Sequence, residues 1–202
     1  NVNMSNIFYG MNELKELTVG ERFRFNDGHA LPGVYWYDTK TNETHRSDNM
    51  PNNKATTYSP CTTGYQYYLT TGDEFNQLIP EETISIIFTD ITAPQDEELI
   101  DVSVTKDESV VGWLDDTTYY VSTQKEGQKI IAEENSSYML SNKSSITSVD
   151  LINLDTSKVV DMSDFFQYCD NLSELQFGDF NTSNVKDMSS MFYCCENIEG
   201  LN

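Results

Sequence analysis

The strongest constraint on the fold is an internal repeat with a period of 26 residues. Residues 155–163, Asp-Thr-Ser-Lys-Val-Val-Asp-Met-Ser, return 26 positions later at residues 181–189 as Asn-Thr-Ser-Asn-Val-Lys-Asp-Met-Ser. The same offset relates further pairs: Phe166 and Phe192, Cys169 and Cys195, Asn171 and Asn197, Leu172 and Ile198, and Leu175 and Leu201. A fixed period of this length is typical of folds in which similar units stack on one another.

Two weaker copies extend the repeat. One precedes the close copies and begins near Ser136. It departs from them at two equivalent positions, called columns, of the aligned repeats: Ser136 and Lys143 stand where the later copies carry Met and Cys. The other lies near the N-terminus, where residues 5–9 align with residues 189–193. The sequence therefore predicts repeated units at both ends of the chain.

Each repeat divides into two halves. Residues 172–180 read as Leu-x-x-Leu-x-Phe-x-x-Phe, and Leu175 and Phe177 would point to the same face of a strand because they are two positions apart. Residues 188–195 carry apolar residues at spacings of three and four, which predicts a short helix with Asp187 as a capping residue. Neither half can bury its apolar face alone, so neighbouring units must complete the core.

The run Asn-Thr-Ser-Asn-Val-x-Asp-Met-Ser-x-Met-Phe resembles the BspA-like leucine-rich repeats of bacterial surface proteins, which are also found in some phage tail and protozoan surface proteins. The resemblance covers residues 136–202 closely and residues 1–20 loosely. It implies an α/β leucine-rich-repeat solenoid with parallel strands, short helices and coils of about 26 residues. It also implies adhesion or recognition at a surface, and no particular reaction.

This resemblance predicts two partial arrays joined by a small, mainly antiparallel β domain. The predicted divisions are a last coil at residues 1–20, a closing β-hairpin and connection at 21–60, the β domain at 61–133 and a second array at 134–202. An array that is open at both ends exposes apolar surface and strand edges, so we expect a fragment of a longer polypeptide. No basic start followed by an apolar segment marks a signal peptide.

The composition is strongly acidic. The chain carries 33 acidic and 12 basic residues, for a formal net charge of -21. This charge disfavours binding to nucleic acid phosphates and to anionic membranes. Because the sequence has no apolar run of about 18 residues, we also expect no membrane insertion.

Aromatic residues and cysteines each allow two interpretations. The aromatic groups at residues 35–37 and 65–68 could stack on sugar rings, but in an alternating strand half of each group must face inward, which favours core packing. Cys169 and Cys195 share one column and could form a disulfide; their position on the predicted helical half favours buried thiols instead. Cys61 and Cys194 have no evident partner, and no C-x-x-C pair indicates zinc.

Metal and catalytic sites receive little support. Asp161 and Asp187 share a column that could hold calcium, but no calcium-binding loop is present and an Asp at this place also serves as a cap. His29 and His45 are the two histidines and lie among turn residues. Phosphate-binding loops, nucleophile elbows and zinc-protease motifs are absent from the sequence. We therefore predict a non-enzyme without cofactor or metal.

The predicted function is a surface-exposed adhesion or receptor-recognition module for a protein or glycan on a host or target surface. The outward strand residues form its candidate ligand-facing positions: Ser148, Asp150, Glu174, Gln176, Glu16 and Thr18. The location would be extracellular or at the cell surface, or alternatively on a phage virion. Other interpretations are a passive spacer, stalk or virion decoration, and an accessory domain of a surface hydrolase.

Overall fold

A computed structural model describes residues 16–20, 35–38, 40, 43–46, 50, 55–60 and 67–199. The chain divides into two compact units, Asn1–Gln66 and Tyr67–Asn202, called the first and the second unit. The predicted domain limits after residues 20, 60 and 133 stay predictions. Several predicted features lie outside the described residues: the N-terminal repeat columns at 5–9, His29, Cys61 and Tyr65.

The first unit contains a four-stranded antiparallel sheet. Its strands are β1 (Leu17–Val19), β2 (Tyr35–Asp38), β3 (Glu43–Arg46) and β4 (Thr56–Pro60), in the order β1-β4-β2-β3. β2 and β3 pair across the predicted hairpin, with Trp36 opposite His45. Trp36 and Tyr58 are fully buried and form a small core with Val19 and Met50. Core packing is thus the role of Trp36 in the aromatic group at 35–37.

The second unit is built mainly from strands. Its elements are α1 (Gly72–Leu78), β5 (Ser85–Thr89), β6 (Ile100–Asp101), β7 (Val111–Asp115), β8 (Thr118–Ser122), β9 (Ile130–Ile131), β10 (Ser148–Asp150), β11 (Leu154–Asp155) and β12 (Glu174–Gln176). Six of these strands form one sheet in the order β12-β10-β5-β8-β7-β6. The pairs from β12 to β8 are parallel, and the pairs from β8 to β6 are antiparallel. β9 and β11 form a separate parallel pair.

The predicted α/β leucine-rich-repeat solenoid with a helix in each coil is wrong. Within the described residues the one α-helix is α1, which lies outside the repeats, and residues 188–195 form turns. The turns contain left-handed residues at a constant period: Tyr138, Asp164 and Ser190, and four positions later Asn142, Tyr168 and Cys194. A residue with positive φ interrupts a right-handed helix, so the apolar spacing of three and four comes from successive turns.

The separate antiparallel β domain is wrong as well. Strands β5 to β8, which fall within residues 61–133, lie in the same mixed sheet as the repeat strands β10 and β12. β10 pairs in parallel with β5 on one side and with β12 on the other. Ser148 lies opposite Glu174, at the 26-residue offset of the repeat. The repeat strands therefore extend the same sheet that contains the preceding strands.

Backbone hydrogen bonds join the turn halves of consecutive repeats. The amides of Met162, Asp164, Phe166 and Tyr168 donate to the carbonyls of Asp187, Ser189, Met191 and Tyr193 at 2.8–2.9 Å. The preceding repeat bonds in the same way. Its backbone amides donate to carbonyls of the next repeat, in the pairs Ser136 to Asp161, Tyr138 to Ser163, Leu140 to Phe165 and Asn142 to Gln167. Short bonds within each turn, such as Gln167 to Asp164, alternate with these contacts. The repeats are consequently held together by backbone as well as by side-chain packing.

Helix α1 lies against the first C-terminal repeat, which begins near Ser136, on the side that has no preceding repeat. The side-chain amide of Asn76 donates to three carbonyl oxygens there, those of Tyr138, Met139 and Ser141, at 3.0, 3.3 and 2.9 Å. The backbone amide of Gly72 donates to the carbonyl oxygen of Asn135 at 2.9 Å. The carbonyls of Asn135, Met139 and Ser141 are equivalent to those that accept bonds from a preceding repeat elsewhere in the stack, so α1 satisfies three acceptors at its start.

The core of the second unit runs beneath the sheet and through the repeats. Its fully buried aromatic residues are Phe75, Tyr119, Phe165 and Phe166. Phe166 stacks on Phe192 of the next repeat with ring centroids 5.2 Å apart. Each fully buried side chain of this size contributes about 1.5–3 kcal/mol.

Gly112 on β7 is required by the packing of Tyr119. A Cβ atom at position 112 would lie 2.1 Å from the Tyr119 hydroxyl oxygen. We expect Gly112→Ala to destabilise the protein by about 1–3 kcal/mol, since the added methyl overpacks the core. Urea unfolding followed by circular dichroism measures the change.

Tyr119→Phe provides the contrasting variant. The Tyr119 hydroxyl is buried without a hydrogen-bond partner, and burial raises the pKa of Tyr119 above its usual range. Removing an unpaired hydroxyl should leave stability unchanged or raise it by about 1 kcal/mol. A loss of more than about 1 kcal/mol would show that the hydroxyl makes a bond that stabilises the fold.

Glu133 gives the stability a pH dependence. This carboxyl group is buried where the repeats begin, and desolvation raises its pKa above the ordinary value of 4.5. A raised folded-state pKa costs no stability below the unfolded pKa, and the cost grows as pH rises toward the folded pKa. We expect Glu133→Gln to gain stability relative to wild type between pH 4 and pH 8, as measured by chemical unfolding.

The matched control for this pH series is Glu98→Gln, which removes the same charge from an exposed position. The comparison of interest is the change in the free-energy difference between variant and wild type across the pH series. A difference for Glu133→Gln that is constant with pH, or that shrinks as pH rises, would contradict the assigned pKa shift.

Candidate functional site

A shallow cavity on the outer face of the six-stranded sheet contains four of the predicted ligand-facing residues. Its volume is about 130 Å³. The lining comes from three adjacent parallel strands, β5, β10 and β12: Ser85, Ile86, Ile87, Ser148, Val149, Asp150, Glu174 and Gln176. Four of the six predicted positions therefore lie together.

The strand register determines how these side chains are placed. Ser148 lies opposite Ser85 on one side and Glu174 on the other, and Asp150 in the same way lies opposite Ile87 and Gln176. Alternate residues of a strand point to opposite faces, so the residues between them face inward. Val149 and Ile86, which are buried in the core, bear this out. The result is two short rows of outward side chains across three strands.

The cavity combines hydroxyl, carboxyl and amide groups. The hydroxyls of Ser148 and Ser85 form a hydrogen bond of 2.8 Å across the strands. One carboxylate oxygen of Asp150 accepts from the Ile152 amide at 2.8 Å, which fixes the side chain locally. Among the described residues, the side chains of Glu174 and Gln176 make no hydrogen bond or ion pair, and both are exposed. They are free to bind a ligand without losing an internal contact.

An aromatic pair continues one of these rows. Tyr120 of β8 lies opposite Ile87, and its ring stacks on Trp113 of β7 with centroids 5.3 Å apart and planes at 12°. Trp113 is buried, whereas Tyr120 is half-buried. Sequence reasoning missed Tyr120 and the lining residues Ser85 and Ile87. Both β5 and β8 fall within the predicted β domain at 61–133, but nothing in the sequence indicated that β5 would pair with the repeats.

The other two predicted positions belong to the first unit. Thr18 lies on β1, where its hydroxyl is 2.9 Å from that of Thr57 on β4. Glu16 directly precedes β1, and both residues are exposed. Because they lie in a different unit, they are not assigned to the cavity, and their role as ligand-facing positions stays a prediction.

The repeat column of cysteines and the column of aspartates both have structural contacts. The Sγ atoms of Cys169 and Cys195 each lie 3.0 Å from a carbonyl oxygen of the preceding repeat, and both are free thiols. Asp161 and Asp187 accept bonds from the backbone amides of Ser163 and Ser189 two positions on, each at 2.9 Å. These aspartates cap turns, not the helices expected from the sequence.

Two further cavities occur in the second unit. One, of about 330 Å³, is apolar and is lined by residues of the last repeat, including Phe177, Phe180 and Phe192. The other, of about 170 Å³, is polar and lies between the end of α1 and the first repeat. In the described part of the chain, no group of three or more His, Cys, Asp or Glu residues is placed to hold a metal ion. Nor does any helix there have the length and hydrophobicity needed to cross a membrane.

We predict that Cys169 reacts slowly with iodoacetamide in the folded protein. Burial raises the pKa of its thiol to about 12, and the thiolate is the reactive form. At pH 8 the modification of Cys169 should be at least about 100-fold slower than in urea. Peptide mapping by mass spectrometry measures it, with the half-exposed Cys194 as the internal comparison. Modification of Cys169 at the unfolded rate would contradict its burial.

Comparison with known proteins gives one family match. Residues 133–200 match the model of a family described as a Mycoplasma protein of unknown function, DUF285. The match covers the repeats and leaves the first unit and the strands before residue 133 outside it. No curated protein and no solved structure matches the chain.

Proposed function

We propose that the chain is a non-enzymatic recognition module, exposed at a surface, that binds a protein or a glycan on the outer face of the six-stranded sheet. The observation that carries this proposal is the cavity lined by Ser148, Asp150, Glu174 and Gln176. Its polar groups come from successive strands held in register, so they form a fixed array instead of an adaptable loop. Such arrays suit recognition of a ligand with regularly spaced hydrogen-bonding groups.

The charge distribution limits what this face can bind. Residues 67–202 contain 26 of the 33 acidic residues but only 6 of the 12 basic ones, so almost all the net charge lies in the second unit. A field of this sign repels anionic ligands and attracts cationic ones. The cavity itself holds two carboxyl groups and no cation. Its ligand is therefore a neutral glycan or a basic protein surface.

The aromatic pair beside the cavity supports a glycan in particular. Carboxyl, amide and hydroxyl groups next to an accessible ring are the combination that sugar hydroxyls and sugar faces require. Tyr120 is half-buried and continues the row of Ile87, Asp150 and Gln176. The buried Trp113 lies against Tyr120 and restricts its movement, which would reduce the entropy lost on binding.

The family match supports a location at a surface. Residues 133–200 match a family that is found in BspA-like surface proteins. We accordingly propose that this chain is part of a BspA-like surface protein, located at the cell surface or extracellularly. A virion surface is the alternative location, and the phage resemblance is the basis for it.

A passive spacer is the second candidate function. It is favoured by the continuous backbone bonding between repeats, which builds a rigid body without any ligand. A spacer would tolerate changes on the outer face of the sheet, whereas a recognition module would not. The two candidates therefore differ in one measurable property, which is the effect of the cavity residues on binding.

The test is binding of the whole chain to a glycan array and to a panel of host-surface proteins, comparing wild type with the double variant Asp150→Asn and Glu174→Gln. We expect at least a tenfold loss of affinity for the bound ligand, because two ligand-facing carboxylates are removed. The control is Asp170→Asn with Glu196→Gln, which removes the same charge from exposed positions outside the cavity. Equal binding by both double variants, or no ligand for wild type, would favour the spacer.

A further inference from the structure

The polar cavity between the end of α1 and the first repeat has the properties of a small-molecule site. It is separate from the outer face of the sheet and has a volume of about 170 Å³. The lining residues come from the segment after α1 and from the last turn of the first repeat: Ile79, Pro80, Glu81, Thr83, Asn142, Lys143, Ser144, Ser145 and Ile146. At about 30 Å³ for each water-sized group, this volume corresponds to about six heavy atoms.

Lys143 marks the place where the first repeat departs from the others. The next two repeats carry Cys169 and Cys195 in this column, and each thiol contacts a carbonyl of the preceding repeat. Lys143 makes no such contact. Its side chain is half-buried at the cavity and, in the described part of the chain, forms neither a hydrogen bond nor an ion pair. The Lys143 side chain therefore takes no part in the stacking contact of this column and lines the cavity instead.

Two other lysines in the described part of the second unit form ion pairs, whereas Lys143, like Lys158 and Lys186, does not. Lys106 pairs with Glu74 at 2.9 Å, and Lys129 pairs with Asp179 at 3.1 Å. Burial lowers the pKa of Lys143, while the nearby charge of Glu81 opposes that shift. The two groups line one cavity, yet they do not form an ion pair. A ligand that carries both charges would fit between them.

The remaining lining groups add neutral hydrogen-bonding capacity. Ser144, Ser145 and Asn142 are exposed at the cavity, and the Ser145 hydroxyl donates to the carbonyl of Thr83 at 3.0 Å, which fixes the wall. Thr83 is buried, and its own hydroxyl has no hydrogen-bond partner in the structure. The cavity is consequently more polar than a simple packing defect, and its walls are held in place.

We propose that this cavity binds a small zwitterion, a molecule with one carboxylate and one ammonium group such as a free amino acid. The carboxylate would pair with Lys143 and the ammonium with Glu81. A simple anion is disfavoured because Glu81 lines the same cavity and the second unit as a whole is acidic. A simple cation is disfavoured by Lys143. This site is independent of the proposed recognition face.

The experiment measures binding of L-serine to the whole chain by NMR titration, with acetate and ethanolamine as probes of the two halves of the ligand. We expect serine to bind at least tenfold more tightly than either probe, since only serine satisfies both charges. The backbone amides of Thr83, Ser144 and Ser145 should shift on titration. Acetate binding as tightly as serine, or no serine binding to folded wild type, would overturn the proposal.

Variants of the two charges separate binding from folding. Lys143→Met and Glu81→Gln should each weaken serine binding at least tenfold. The matched controls are Lys158→Met and Glu82→Gln, which change the same charges at exposed positions that do not line the cavity, and both should stay within twofold of wild type. If Lys143→Met does not fold, Glu81→Gln and the probe comparison on wild type still decide the question. Retention of serine affinity in Glu81→Gln would overturn the proposal.

Discussion

The backbone amides of the repeat turns donate to carbonyls of the neighbouring repeat, and the architecture of the second unit depends on this bonding. Residues with a left-handed backbone recur every 26 positions, at Tyr138, Asp164 and Ser190. In these turns every second backbone amide points toward the neighbouring repeat and donates to it. An α-helix would have used those amides internally and left only side chains to hold the repeats together. Replacing helices with turns therefore converts each repeat into a bonding partner for the next.

The same requirement explains the start of the stack. A first repeat without a predecessor would leave carbonyl oxygens unbonded, and α1 supplies the missing donors through Asn76. On the strand side, β5 takes the place of a preceding repeat strand by pairing in parallel with β10. Neither α1 nor β5 has the repeat sequence, yet α1 replaces a preceding repeat at the turns and β5 replaces one at the strands. The sheet and the repeats consequently share one core.

These relations show which parts of the structure a sequence can predict. The 26-residue period predicts that Ser148 lies opposite Glu174 and Asp150 opposite Gln176, because equivalent residues of neighbouring repeats pair when the repeats stack in register. The helix at residues 188–195 was mispredicted because the spacing of Met188, Met191 and Phe192 fits successive turns equally well, and no glycine marks the left-handed positions. Ser85 and Ile87 could not be foreseen, since Ser85 and Ser148 pair across 63 positions without any shared pattern.

Departures from a repeat carry information that the repeat itself does not. A column occupied by similar residues, such as Cys169 and Cys195, is explained by the contact that each makes with the preceding repeat. Lys143 in that column makes no stacking contact of this kind, and its side chain lines the cavity instead. The stacking contacts fix the backbone on both sides of Lys143, so the substitution changes the chemistry of the cavity and not its shape. In a chain built from repeats, a binding site can therefore arise at one unit while the bonding that holds all units together stays intact.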